Sequence, residues 1–156
     1  ADVLNYIPNQ KASQLAFDSG LVADGKDWCD IHPKTFESKL VKNVHVIGDA
    51  SNAAPMPKSA FSASTQGKVV ALQIARMLKQ QEPLNPPKLA NTCYSLLSPN
   101  YGISIAAVYN ALDDKIQNVD GAGGVSPETD PDGHIRILEA KYAYAWYESQ
   151  TADIFK

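Results

Sequence analysis

The spacing of apolar residues changes period several times along this chain, and each change predicts an element. Val44-His45-Val46-Ile47 is a short β-branched run that reads as a buried strand, stopped at Gly48-Asp49. There a small residue lets the backbone turn and leaves a carboxylate at the strand's end. A loop follows from Ala50 to Lys58, with prolines on either side of Met56. Apolar residues then return on a wide helical arc: Val69, Val70, Leu72, Ile74, Ala75, Met77 and Leu78. Upstream, residues 1–8 predict a buried strand ended by Pro8, and Gln10 to Ser19 a short helix with Leu15 and Ala16 inward, stopped by Gly20. Lys26 to Thr35 alternates loosely through Trp28, Ile31 and Pro33, as an irregular edge strand would.

After Lys79 the composition shifts to QQEPLNPPK, the sharpest boundary in the sequence, dividing it into residues 1–82 and 83–156. Beyond it, Asn91–Leu97 and Ile103–Tyr109 predict a β-hairpin with a five-residue loop, and Lys115–Val119 a third strand. Gly121 to Gly133, with four glycines and two prolines, reads as loop. Ile135 to Phe155 has helical spacing, with Ile135, Leu138, Tyr142, Ala145, Trp146 and Ser149 expected on the inward face. The fold class predicted is α+β.

Bulk properties narrow the function classes. The 156 residues suffice for one domain, or for pieces of two, with a sizeable core. A net charge of −3 and no basic stripe argue against a nucleic-acid partner. No apolar run reaches 18 residues, so no transmembrane segment is predicted, and the first residues are not those of a signal peptide. Two cysteines leave the redox compartment open.

Strand, Gly-Asp, loop and helix in that order are what an open α/β sheet uses to hold a polar ligand. The segment from Thr35 to Asp49 resembles the second FAD-binding motif of two-dinucleotide-fold flavoproteins. Its continuation, APMPKSAFSASTQGKVVA, is more specific: together with TFES upstream and NTCYSLLSPNYGIS downstream, it is similar to the flavoprotein subunit of flavocytochrome c sulfide dehydrogenase. The resemblance implies that residues 1–82 are the carboxyl-terminal part of an FAD-binding region and residues 83–156 a small α+β domain at the flavin. No G-x-G-x-x-G occurs, so the chain is expected to be the carboxyl-terminal portion of a longer flavoprotein.

The same resemblance supplies site residues. Asp49, after Gly48, would accept hydrogen bonds from ribityl hydroxyls, although an aspartate there also suits a turn. Met56, Pro57 and Lys58 would sit at the approach to the helix, where backbone N–H groups would face the flavin, Lys58 alternatively being a solvated lysine. Cys93 would be half of a redox-active disulfide attacked by sulfide, its partner lying upstream of this chain. Cys29, without a neighbouring ligand set, reads as packing. Trp146, in YAYAWY, would lie on the flavin side or simply pack in the core. His32, His45 and His134 are scattered and read as structural.

Family membership would further imply FAD as cofactor, a c-type cytochrome subunit carrying the haem, and a periplasmic location. The absence of C-x-x-C-H here agrees with a separate haem carrier. Two other readings compete: a sulfide:quinone oxidoreductase relative, against which stands a terminal helix without a Lys/Arg-rich face, and a non-catalytic docking module for a cytochrome or second subunit.

Overall fold

The long central helix shows best how this sequence folds. In the computed structural model, which describes residues 2–156, Ser59 caps helix α2 (Ala60–Leu78) by accepting from the Ser62 amide at 3.1 Å. An earlier short helix, α1, spans Gln14–Asp18. The buried face of α2 takes in only part of the apolar arc the sequence suggests, with Val70 in the core and Val69 and Ile74 packed against it. Ser62, Gln66, Val70 and Gln73 point inward, while Leu72, Met77 and Leu78 are 48, 55 and 77 % exposed. The reason is what lies beneath: irregular backbone whose polar groups need partners. Gln73 donates to the carbonyls of Lys34 and Leu84 and accepts from the Leu84 amide, and Thr65 donates to the Ala90 carbonyl.

The regular sheet is antiparallel, in the order β1 (Lys88–Ser98), β2 (Tyr101–Ala111), β3 (Ile116–Val125). Both outer connections differ from the sequence reading. Ser98 already pairs with Tyr101, so the first hairpin turns through Pro99-Asn100 alone, with a bulge near Leu97 absorbing the extra residue. The glycine-rich stretch expected as loop continues β3 to Val125. A Cβ on Gly123 would stand 2.3 Å from the Ala106 carbonyl oxygen, beside a register shift between Ala107 and Tyr109. Glycine here permits close strand approach rather than breaking the strand.

Helix α3 (His134–Phe155) lies across β2 and the edge of β1. Its buried face is Arg136, Glu139, Ala140 and Ala143, one position away from the expected Ile135–Leu138–Tyr142–Ala145 face, and Ile135 and Tyr142 are exposed. Small residues let the helix sit directly on Gly102 of β2. The Arg136–Glu139 pair (3.4 Å) is made tolerable by Ser104 and Ser126, whose hydroxyls donate to the Glu139 carboxylate at 2.8 and 2.7 Å.

The first part of the chain is built differently. Val44–Ile47 and Lys26–Thr35 form isolated bridges rather than strands: Cys29 with Ser51, Ile31 with Ser38, and Glu37 with His45. Residues 2–8 belong to no helix or strand and are exposed, contrary to the buried strand expected. A β-branched run becomes a strand only where a neighbour offers a ladder, and among the described residues none does. Both parts nevertheless share one core, running from Cys29, Phe36, Val46 and Met56 through Val70 to Leu89, Tyr109 and Ile116.

Candidate functional site

Successive side chains of β1 leave opposite faces of the sheet, so Leu89, Asn91, Cys93 and Ser95 share one face. Over this face lies a recess of about 530 Å³, walled by Cys93, Asn91, Tyr109 and the glycine-rich end of β3, and on the far side by Pro55 and Pro57. Cys93 also lines a second recess of about 360 Å³ with Ser95, Ser126 and Arg136. Asn91 is 3 % exposed, and its Nδ2 donates to the Cys93 Sγ at 3.3 Å. Burial, with Cys93 nearby, pushes the Tyr109 phenol above its ordinary range and holds it neutral.

A separate recess, of about 470 Å³, lies around Asp49, Lys58, Trp28 and Ser13. Gly48 starts a 3₁₀ turn (Gly48–Ala50) at φ 67°, where a Cβ would also press on Ala63 at 3.3 Å. The Gly48 amide donates to Gln66 Oε1 at 2.7 Å, and Gln66 Nε2 reaches the buried Met56 sulfur at 3.7 Å. One helix glutamine thus ties together two residues expected at the site. Asp49 is exposed, and among the described residues its carboxylate accepts no hydrogen bond. Lys58 is not a free surface lysine: its Nζ donates to the carbonyls of Asp49 (2.5 Å) and Ser51 (2.9 Å) and sits 3.7 Å over the Trp28 ring. Burial lowers its pKa, and the Asp49 charge partly restores it.

Pro57 and Cys93 are therefore brought together, as are Asp49 and Lys58, with Met56 buried behind them. Trp146 lies elsewhere. It packs on Tyr94 and Phe61 at ring-centroid distances of 5.9 and 6.1 Å, and Tyr94 leaves β1 on the side opposite Cys93. The Trp146 indole N–H is buried without a hydrogen-bond partner among the described residues. Cys29 is fully buried, and both cysteines are free thiols. Burial, then the Asp30 charge, raises the Cys29 pKa, while Lys58 lowers it.

Three residues at or behind these recesses were not singled out in the sequence: Asn91 and Trp28, which line them, and Gln66, which holds Gly48 and Met56. A signal existed for Gln66. Ser59, Ser62, Gln66 and Gln73 fall on one helical face, a polar stripe that is unexpected unless it bonds to something. Asn91 and Trp28 carried no pattern of their own.

Cys93 thus opens to a recess beside the approach to α2, and the unpaired carboxylate of Asp49 stands on the turn before it. Residues 85–155 match the family described as flavocytochrome c sulphide dehydrogenase, flavin-binding. The residues present fit a flavin: the Asp49 carboxylate is free to accept from hydroxyls, and the capped start of α2 offers amides to a partly anionic ring. No helix among the described residues is long and apolar enough to cross a membrane.

Proposed function

We propose that this chain is the carboxyl-terminal part of an FAD-dependent sulfide dehydrogenase that passes electrons to a c-type cytochrome subunit, with residues 1–82 completing the FAD-binding region. The observation that carries the proposal is the shared recess of Cys93 and Pro57, which puts the accessible sulfur of the chain next to the approach to α2. Asp49 holds the ribityl chain, Met56 to Lys58 present the helix start, and Cys93 forms a disulfide with a cysteine outside this chain. Hydrosulfide attacks one sulfur of that pair. A new S–S bond forms to the attacked sulfur, the old one breaks, and its electron pair leaves on the other cysteine as a thiolate. Bound flavin supplies the two-electron acceptor for the next stage. The chain's own part is to aim Cys93 into the recess and to keep Cys29, sealed in the core, out of the exchange. A periplasmic home belongs to the same proposal.

The test uses the complete flavoprotein. It should carry FAD through gel filtration and support sulfide-dependent reduction of a c-type cytochrome. Absence of flavin would make the chain a docking module. Reduction of a quinone in place of the cytochrome would make it a sulfide:quinone oxidoreductase relative.

A further inference from the structure

The buried amide of Asn91 is held in one orientation by two serine hydroxyls at the start of α2. Its Oδ1 accepts from the hydroxyl of Ser59 at 2.5 Å and from that of Ser62 at 3.0 Å. Ser59 is itself fixed, because its oxygen caps α2 through the Ser62 amide. With the carbonyl side anchored twice, the NH₂ side of Asn91 is turned to Cys93, and Nδ2 lies 3.3 Å from Sγ. The alternative contact, from the thiol to Oδ1, is longer at 3.7 Å and competes with two hydroxyls for the same oxygen. Asn91 is 3 % exposed and Ser62 1 %, so water does not substitute for this chain of bonds.

A donor fixed on a sulfur favours that sulfur when it is anionic, since hydrogen bonds to a charged acceptor are about twice as strong as neutral ones. Few charges nearby could do the same. The titratable and charged groups lining the recesses of Cys93 are the Tyr109 phenol, Asp120 on β3, and Glu128 with Arg136 on the smaller recess; Arg136 is already committed to Glu139 and the Pro127 carbonyl. We propose that Asn91 is a positioning residue that makes Cys93 the leaving sulfur of the disulfide pair. Hydrosulfide then bonds to the sulfur of the partner cysteine, the disulfide breaks, and its electron pair is received on Cys93 Sγ under the Asn91 amide. This rests on the redox role proposed for Cys93, but its test does not.

The experiment is the pH dependence of Cys93 alkylation by iodoacetamide in this chain, read peptide by peptide so that Cys29 is scored separately. Asn91→Asp keeps the shape and the acceptor for both serines, while replacing the donor with a negative oxygen. The apparent pKa of Cys93 should rise by a unit or more, so alkylation at neutral pH should slow about tenfold. Ser62→Ala, which releases one anchor of the amide, should shift it in the same direction by less, and serves alone if the Asp variant does not fold. An apparent pKa unchanged in a folded Asn91→Asp chain, or unchanged in Ser62→Ala where only that variant folds, overturns the proposal. If the shift appears but sulfide never reduces the complete flavoprotein, the redox role fails while the Asn91–Cys93 coupling stands.

Discussion

The two recesses of this molecule are built on opposite plans. Cys93 stands on the middle of a ten-pair antiparallel ladder, with its neighbour Asn91 locked to the cap of α2. Asp49 and Lys58 stand on a turn and a loop joined to the rest by single bridges and by side-chain bonds to backbone. A reacting sulfur must be held to a fraction of an ångström, and a ladder holds it. A cofactor chain with many hydroxyls needs donors and acceptors spread along it, which loops supply. The difference predicts that damage to the sheet side will show as lost stability and damage to the loop side as lost ligand.

The largest effect should come from the ion pair behind the sheet. Arg136→Met leaves Glu139, 8 % exposed, without its cation, and should cost about 3–5 kcal/mol in chemical denaturation. The double change Arg136→Met with Glu139→Leu should recover most of that loss. A single variant as stable as the parent would mean that Ser104 and Ser126 alone satisfy the carboxylate.

On the loop side, Asp49→Ala should leave the melting temperature of the chain unchanged, since the carboxylate bonds to nothing among the described residues. In the complete flavoprotein it should weaken FAD retention by roughly ten- to a hundredfold, the worth of a charged hydrogen bond of about 1.5–3 kcal/mol. The opposite pattern, lost stability with unchanged flavin titration, would make Asp49 a turn residue and erase the contrast.

The smallest effect is with pH. Cys29, Tyr94 and Tyr109 have raised pKa values through burial, so the folded chain keeps protons that the unfolded chain releases. Stability should therefore fall as pH rises beyond the ordinary thiol range, about 8.5, and fall further past the ordinary phenol range, about 10. Lys58, lowered by burial, works the other way in the same alkaline window. Cys29→Ala should remove the onset of the decline near pH 8.5, and denaturation midpoints between pH 7 and 10 would show it.

How much of this could be read in the sequence follows the same division. The α+β class and the central and terminal helices were legible, because periodicity over about twenty residues is a strong signal. Their inward faces were not. In α2 many partners are backbone groups, so the buried stripe combines Ser62, Gln66 and Gln73 with Val70, and apolar periodicity gives only part of the inward face. In α3 close contact with the sheet selects Ala140 and Ala143 over the aromatic residues. The strands expected at residues 1–8 and 44–47 had the right residue types, but pairing depends on a neighbour that local sequence does not reveal. Gly121–Gly124 misled for a related reason, since a glycine such as Gly123 can mark close strand approach as well as a turn. Of the two family-like strings, the one around Cys93 lies in the segment that matches the flavin-binding family, while Asn91 became visible as a partner of Cys93 only when the cap of α2 was seen to reach it.

The central claim is that Cys93, not Cys29, carries the redox chemistry. Its most direct test is anaerobic flavin absorbance of the complete flavoprotein after addition of sulfide. Cys93→Ser should retain FAD and be reduced by dithionite, yet fail to bleach with sulfide, while Cys29→Ser bleaches close to the parental rate. Bleaching of Cys93→Ser at the parental rate, or loss of it in Cys29→Ser alone, would contradict the account.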